Sequence, residues 1–176
     1  MVATLTKISA VVGLLAVAPA AVSALQYQGY SNTVSCSGDF FFCNDGGAVC
    51  CSLPTGFGFS AQFNGLPAGT QGQGYKNGGC SSFVFSVFGP GTKCWNGGGS
   101  RVSNLNWFHS PQGRRSIDAS EPVECASANG FSYTDHTGAE RVIKIPGGGK
   151  NATAAEVVAS LRKDQDFEAL AKYESF

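Results

Sequence analysis

The sequence predicts a mainly β protein: a disulfide-stabilised antiparallel β-sandwich or barrel with a short helical segment at its C-terminal end. Three observations carry this. Aromatic residues alternate with small or polar ones at a period of two, Asn-Gly and Asp-Gly pairs punctuate the chain, and the 176 residues include seven cysteines. The features cluster. Leu25 to Gly99 holds 17 of the 24 glycines, 9 of the 13 phenylalanines, six of the cysteines and only four charged residues, Asp39, Asp45, Lys76 and Lys93. Residues 100–176 carry 19 charges.

In chain order, residues 1–24 read as a secretory signal: Lys7 in a short start, an apolar stretch from Ile8 to Val22 interrupted by Pro19, and a small-residue end at Val22-Ser23-Ala24. The remaining residues 25–176 are expected to form a single secreted cysteine-rich domain, with a β-core at 25–99 and a charged extension at 100–176. No later stretch is long and apolar enough to span a bilayer. Twelve basic against twelve acidic side chains provide no cationic excess for phosphates, so nucleic acid is not an expected partner.

An oxidising export route would convert Cys36, Cys43, Cys50, Cys51, Cys80, Cys94 and Cys125 into bridges. Three bonds and one leftover sulfur is the simplest count, and spacing leaves the pairing open. Cys50 and Cys51 are neighbours with Cα atoms about 3.8 Å apart, which favours bonds to two different partners. Cys125, farthest from the others, is the expected leftover, buried or paired with a second chain. Cleavage at Arg114-Arg115, in the polar run 110–120, would reverse that choice by requiring Cys125 to hold the halves together. With no Cys-x-x-Cys pair and only two histidines, neither a metal site nor a cofactor is expected.

Strands are expected at Phe57 to Phe63, where odd positions form one apolar face, and at Phe83 to Phe88, where both faces are apolar, as in a strand covered on two sides. Asp45-Gly46, Asn64-Gly65, Asn77-Gly78 and Asn96-Gly97 supply hairpin turns. Pro67 to Tyr75 reads as a binding loop or a surface loop. A faint repeat links Phe57-x-Phe59-Ser60 and Gly69-Thr70 to Phe83-x-Phe85-Ser86 and Gly91-Thr92. Farther on, a hairpin is expected around Asn129-Gly130, then a strand at Arg141 to Ile145. A capping box at Thr153 to Glu156 starts a helix with Val157, Val158 and Leu161 as its stripe. A second helix, starting near Asp164 or Asp166, would present Phe167, Leu170 and Tyr173.

Hydrolase machinery is sparse. No Gly-x-Ser-x-Gly elbow and no His-Glu-x-x-His helix is present. Asp135-His136, His109 and the Glu121/Glu124 pair are the available acid/base groups. Gly147 to Lys150 imitates a phosphate loop but has Asn151 where Ser or Thr should follow. Asn151-Ala152-Thr153 is a glycosylation sequon. Trp95 beside Asn96-Gly97, and Trp107 near Asn104 and Asn106, could stack on sugar rings while the amides bond hydroxyls.

The signal, the Cys-Ser-Gly-Asp start at Cys36, the Cys50-Cys51 doublet and the Gly/Phe-rich strands together resemble the small secreted cysteine-rich, effector-like proteins of filamentous fungi. That resemblance implies secretion and interaction with another organism or a cell wall. Asn77-Gly78-Gly79-Cys80-Ser81-Ser82 before Phe83 resembles the calcium motif of βγ-crystallin-like Greek-key modules, but Gly78 stands where a ligating side chain is expected. The expected function is therefore extracellular, non-enzymatic binding of a glycan or of a host or competitor protein, as effector, antimicrobial or cell-wall binder. The alternatives are a small secreted hydrolase using His109, His136 or the nearby carboxylates, and a structural wall or spore-surface protein.

Overall fold

The computed structural model describes residues 25–31, 35–45, 49–109, 125–145 and 156–159. The proposed signal, Arg114-Arg115, Glu121, Glu124, the Asn151 sequon and the second C-terminal helix lie outside them. Among the described residues eleven strands follow in order: β1 (Leu25–Tyr30), β2 (Phe40–Asp45), β3 (Cys51–Ser52), β4 (Ser60–Leu66), β5 (Thr70–Lys76), β6 (Ser82–Phe88), β7 (Gly91–Asn96), β8 (Asn104–His109), β9 (Ala126–Ser127), β10 (Gly130–Thr134) and β11 (Glu140–Lys144). One helical turn, α1, covers residues 156–159. The strands form a six-stranded sheet, ordered β11-β10-β2-β1-β4-β7, and a five-stranded sheet, ordered β6-β5-β8-β3-β9. The pairing is antiparallel except for β3 with β9. The two sheets pack as a sandwich rather than a closed barrel.

The inner faces meet in one core. Tyr27, Phe41, Phe63 and Phe131 from the first sheet and Leu105 from the second are fully buried there, and Val157 of α1 joins them. Rings interlock: Phe41 meets Phe57 edge-on at 4.6 Å, and Phe85 stacks flat on Trp95 at 4.1 Å. The apolar stripe expected on the C-terminal helix thus docks on the sandwich through Val157.

Two antiparallel pairs, β4 with β7 and β5 with β6, form one long ribbon folded from sheet to sheet. Pro67 to Gly69 carries one strand round the corner, and Gly89 to Gly91 the other. Thr70 N–H donates to Pro67 C=O at 3.3 Å and Gly89 N–H to Thr70 C=O at 2.9 Å, stitching the bend. The Gly-Thr echo of the sequence therefore marks two facing corners.

Several expectations are corrected. Asn64-Gly65 lies within β4, where the pairing with β7 shifts register between Phe63 and Leu66, and the turn falls at 67–69. Residues 70–76 are a strand between β6 and β8, not a loop. Its glycines leave room for rings: a Cβ on Gly72 would come within 2.5 Å of Phe63, and one on Gly74 within 2.0 Å of Phe85. No hairpin forms at Asn129-Gly130, because β9 belongs to one sheet and β10 to the other. β6 is an edge strand, and Phe83 and Phe88 are exposed rather than covered.

Cys36–Cys94 ties the segment before β2 to β7, and Cys43–Cys51 ties β2 to β3 across the core. Cys50 turns to other partners, Cys80 and Cys125, so the Cys50-Cys51 doublet does pin two places.

Candidate functional site

The site grows from the alternation of β5. Gly72 and Gly74 face the core, which sends Gln71, Gln73 and Tyr75 to the outer face of the five-stranded sheet. Register places Phe88, Ser86 and Phe83 of β6 beside these three on one side, and Phe108, Asn106 and Asn104 of β8 on the other. The pairing skips Val84, the extra residue of a bulge. A bulge reverses the face of whatever follows it, so Phe83 points outward while Phe85 points into the core.

The β6 side of this face is open. Phe83 is 57% exposed and Phe88 58%, and the four ladder steps between them put the rings about 13 Å apart. Ser86 and Gln73 stand between them, with Gln71 beside Phe88. Tyr75 supports Phe83 edge-on at 6.1 Å and donates its hydroxyl to Gln73 Oε1, which orients that amide. Burial pushes the Tyr75 hydroxyl up to about 12, so it stays protonated and donating at neutral pH.

The β8 side is covered by a satellite cluster of Cys50, Cys80 and Tyr75 with Phe108 and Cys125 packed against it. The sulfurs of Cys50, Cys80 and Cys125 lie within 4.8 Å of one another, with Cys50 within bridging reach of both others. Cys125, expected to stand apart, is instead brought to Cys50 by β9, which pairs with β3 from Cys51 of the doublet onward. Its Cα is 4.6 Å from that of Cys50, and the Cys80 Cα is 6.0 Å away.

The four residues expected to bind ligand are not brought together on an open surface. Asn104, 1% exposed, donates to Ser52 Oγ at 3.0 Å and to Cys125 Sγ at 3.5 Å. Asn106, 2% exposed, accepts the Trp107 N–H at 2.7 Å. Trp107 points the other way along β8 into the core, and Trp95 of β7 is part-buried against Phe85 in the same core. Sequence reasoning missed Phe83 and Phe88, whose signal was a strand with two apolar faces.

Asp135, a candidate acid/base group, anchors the β10–β11 turn. Its Oδ1 accepts from Thr137 N, Thr137 Oγ1 and Ala139 N at 2.8, 2.6 and 3.0 Å, and its Oδ2 pairs with Arg141 Nε at 2.8 Å. Hydrogen bonds from Thr137 and Arg141 hold this carboxyl well below the usual range. Both oxygens serve the turn, and His136 beside it is exposed. Within the resembled calcium motif, the Ser81 hydroxyl donates to Gly78 C=O at 3.3 Å.

A family model described as ARB_05566_N, N-terminal domain, matches residues 26–130. It ends at the first residue of β10, although β10 and β11 complete the six-stranded sheet. No curated protein and no solved structure matches the chain.

Proposed function

The chain belongs to the ARB_05566_N family through its N-terminal domain, and from the open sheet face we propose that it is a secreted, non-enzymatic protein that binds a glycan outside the cell. One observation carries the reading: two exposed phenylalanine rings share the outer sheet face with amide and hydroxyl groups at Gln71, Gln73 and Ser86. Rings of this kind stack on the C–H face of a sugar while amides bond its hydroxyls. A strand-borne, disulfide-held platform also needs little reordering on binding, which favours affinity. Further support comes from the disulfide count, which fits an oxidising export route. Among the described residues no helix is long and apolar enough to cross a membrane. Effector action on another organism and attachment to a cell wall are two settings in which such binding would operate.

The test is a glycan array and calorimetric titration with residues 25–176. The expected result is saturable binding to at least one polysaccharide, weakened tenfold or more by Phe83→Ser with Phe88→Ser, while the circular dichroism spectrum is unchanged. Absence of binding to every glycan, or undiminished binding by the folded double variant, overturns the reading.

A further inference from the structure

The two sheets differ in charge. The strands of the five-stranded sheet carry one lysine, Lys76, and no arginine, aspartate or glutamate. Lys76 follows Tyr75 in β5, so strand alternation turns it away from the outer face. The six-stranded sheet, by contrast, holds Asp45, Lys93, Glu140, Arg141 and Lys144. The outer face that bears Phe83 and Phe88 is therefore uncharged along β5 and β6. An ionic ligand laid on it would give up hydration without meeting a countercharge.

Spacing adds a length requirement. Phe83 and Phe88 sit near opposite ends of β6, about 13 Å apart, with Ser86 of β6 and its register partner Gln73 of β5 between them. A disaccharide is too short to lie on both rings. A longer chain can stack one unit on each ring and carry the units between over Ser86 and Gln73. Equatorially linked pyranoses suit such stacking, because their hydroxyls project from the rim and their axial C–H bonds cover the two ring faces. The central amide is also oriented: Gln73 Oε1 accepts the Tyr75 hydroxyl, which leaves the Gln73 NH2 group as the donor toward a sugar oxygen.

We propose that the outer face of β5 and β6 selects a neutral, equatorially linked pyranose chain longer than a disaccharide, with one unit stacked on Phe83, another on Phe88, and the hydroxyls between them bonded by Gln73 and Ser86. Tyr75 is a positioning residue that acts through Gln73. The chain lies along the strands, since both rings stand on β6. The charge, linkage geometry and minimum length of the ligand are thereby specified within the glycan-binding reading above, on which they rest.

The test is calorimetric titration with β-1,4-linked glucose and N-acetylglucosamine oligosaccharides of one to six units, and with the same chains made anionic by oxidation at C6 or cationic by deacetylation. Expected are affinities that change little from monosaccharide to disaccharide and rise tenfold or more in longer neutral chains. Charged chains of equal length bind at least tenfold more weakly. Phe83→Ser and Phe88→Ser each abolish the rise with length and keep the weak binding of short sugars, with an unchanged circular dichroism spectrum. Tyr75→Phe lowers long-chain affinity severalfold but has no further effect once Gln73→Ala is present, which separates orientation of the amide from support of the sheet. Equal affinity for disaccharide and hexasaccharide, or preference for a charged chain, overturns the proposed selectivity while glycan binding itself stands. A Tyr75→Phe loss that persists in Gln73→Ala overturns the positioning role. Binding of no glycan at all overturns the selectivity together with the reading on which it rests.

Discussion

Removal of the Cys36–Cys94 bridge by Cys36→Ala with Cys94→Ala isolates the effect of loop closure. Cys36 is part-buried and Cys94 exposed, so the substitution opens little core space. The bridge spans 58 residues of sequence, which by chain entropy alone corresponds to about 4.2 kcal/mol. The unfolded chain has shortcuts, however. A path through Cys43–Cys51 and Cys50–Cys80 reduces the effective loop to about 24 residues and the contribution to about 3.5 kcal/mol. A path closed through Cys50–Cys125 instead leaves an effective loop of about 41 residues and a contribution of about 4 kcal/mol. Urea unfolding followed by tryptophan fluorescence at pH 5, where thiolate exchange is slow, should show a loss of about 3.5 to 4 kcal/mol, a midpoint shift of roughly 2 M. A loss below about 1 kcal/mol would refute the reasoning, because the unfolded chain would then hold these segments together without the bond.

Gly74→Ala drives a Cβ into the Phe85 ring and should destabilise by about 1 to 3 kcal/mol, read from the urea midpoint, whereas Gly65→Ala meets no neighbour and should show only the strain of its positive φ. Burial raises the Tyr30 and Tyr75 hydroxyls to about 12. The unfolded chain therefore loses those protons first, and stability is full below about pH 10 and declines as pH rises toward 12, followed by tyrosinate absorbance and circular dichroism. Asp135 acts in the opposite direction. Its lowered value contributes stability above the ordinary carboxylate range that is lost as pH falls through the folded value, and Asp135→Asn should flatten that acid limb of a melting-temperature profile.

Much of the fold was legible because strand alternation and turn chemistry are local. The existence of β6 and the Asn77-Gly78 turn follow from aromatic-rich strand composition and from residues that tolerate positive φ. The β5 strand was hidden because its inward positions are glycines, and a glycine signals a core face only when the rings that fill its space, Phe63 and Phe85, are known. The Asn129-Gly130 error has the same origin: pair identity predicts a turn, but not whether the flanking strands join one sheet or two. Of the candidate site, the sequence held the ingredients, two-sided aromatics and an odd number of cysteines, without their arrangement.

By itself the sequence determined a β-rich class, a low-charge region bearing most of the glycines and cysteines, and a Cys50-Cys51 doublet that must reach two partners. Only the tertiary structure decided that both tryptophans pack into the core, which phenylalanines face solvent, and that Cys125 meets Cys50. The physical reason is range. Alternation and backbone reach act over a few residues, whereas burial and sulfur proximity depend on strands such as β3 and β9, which lie 74 residues apart and touch only once the sandwich has closed.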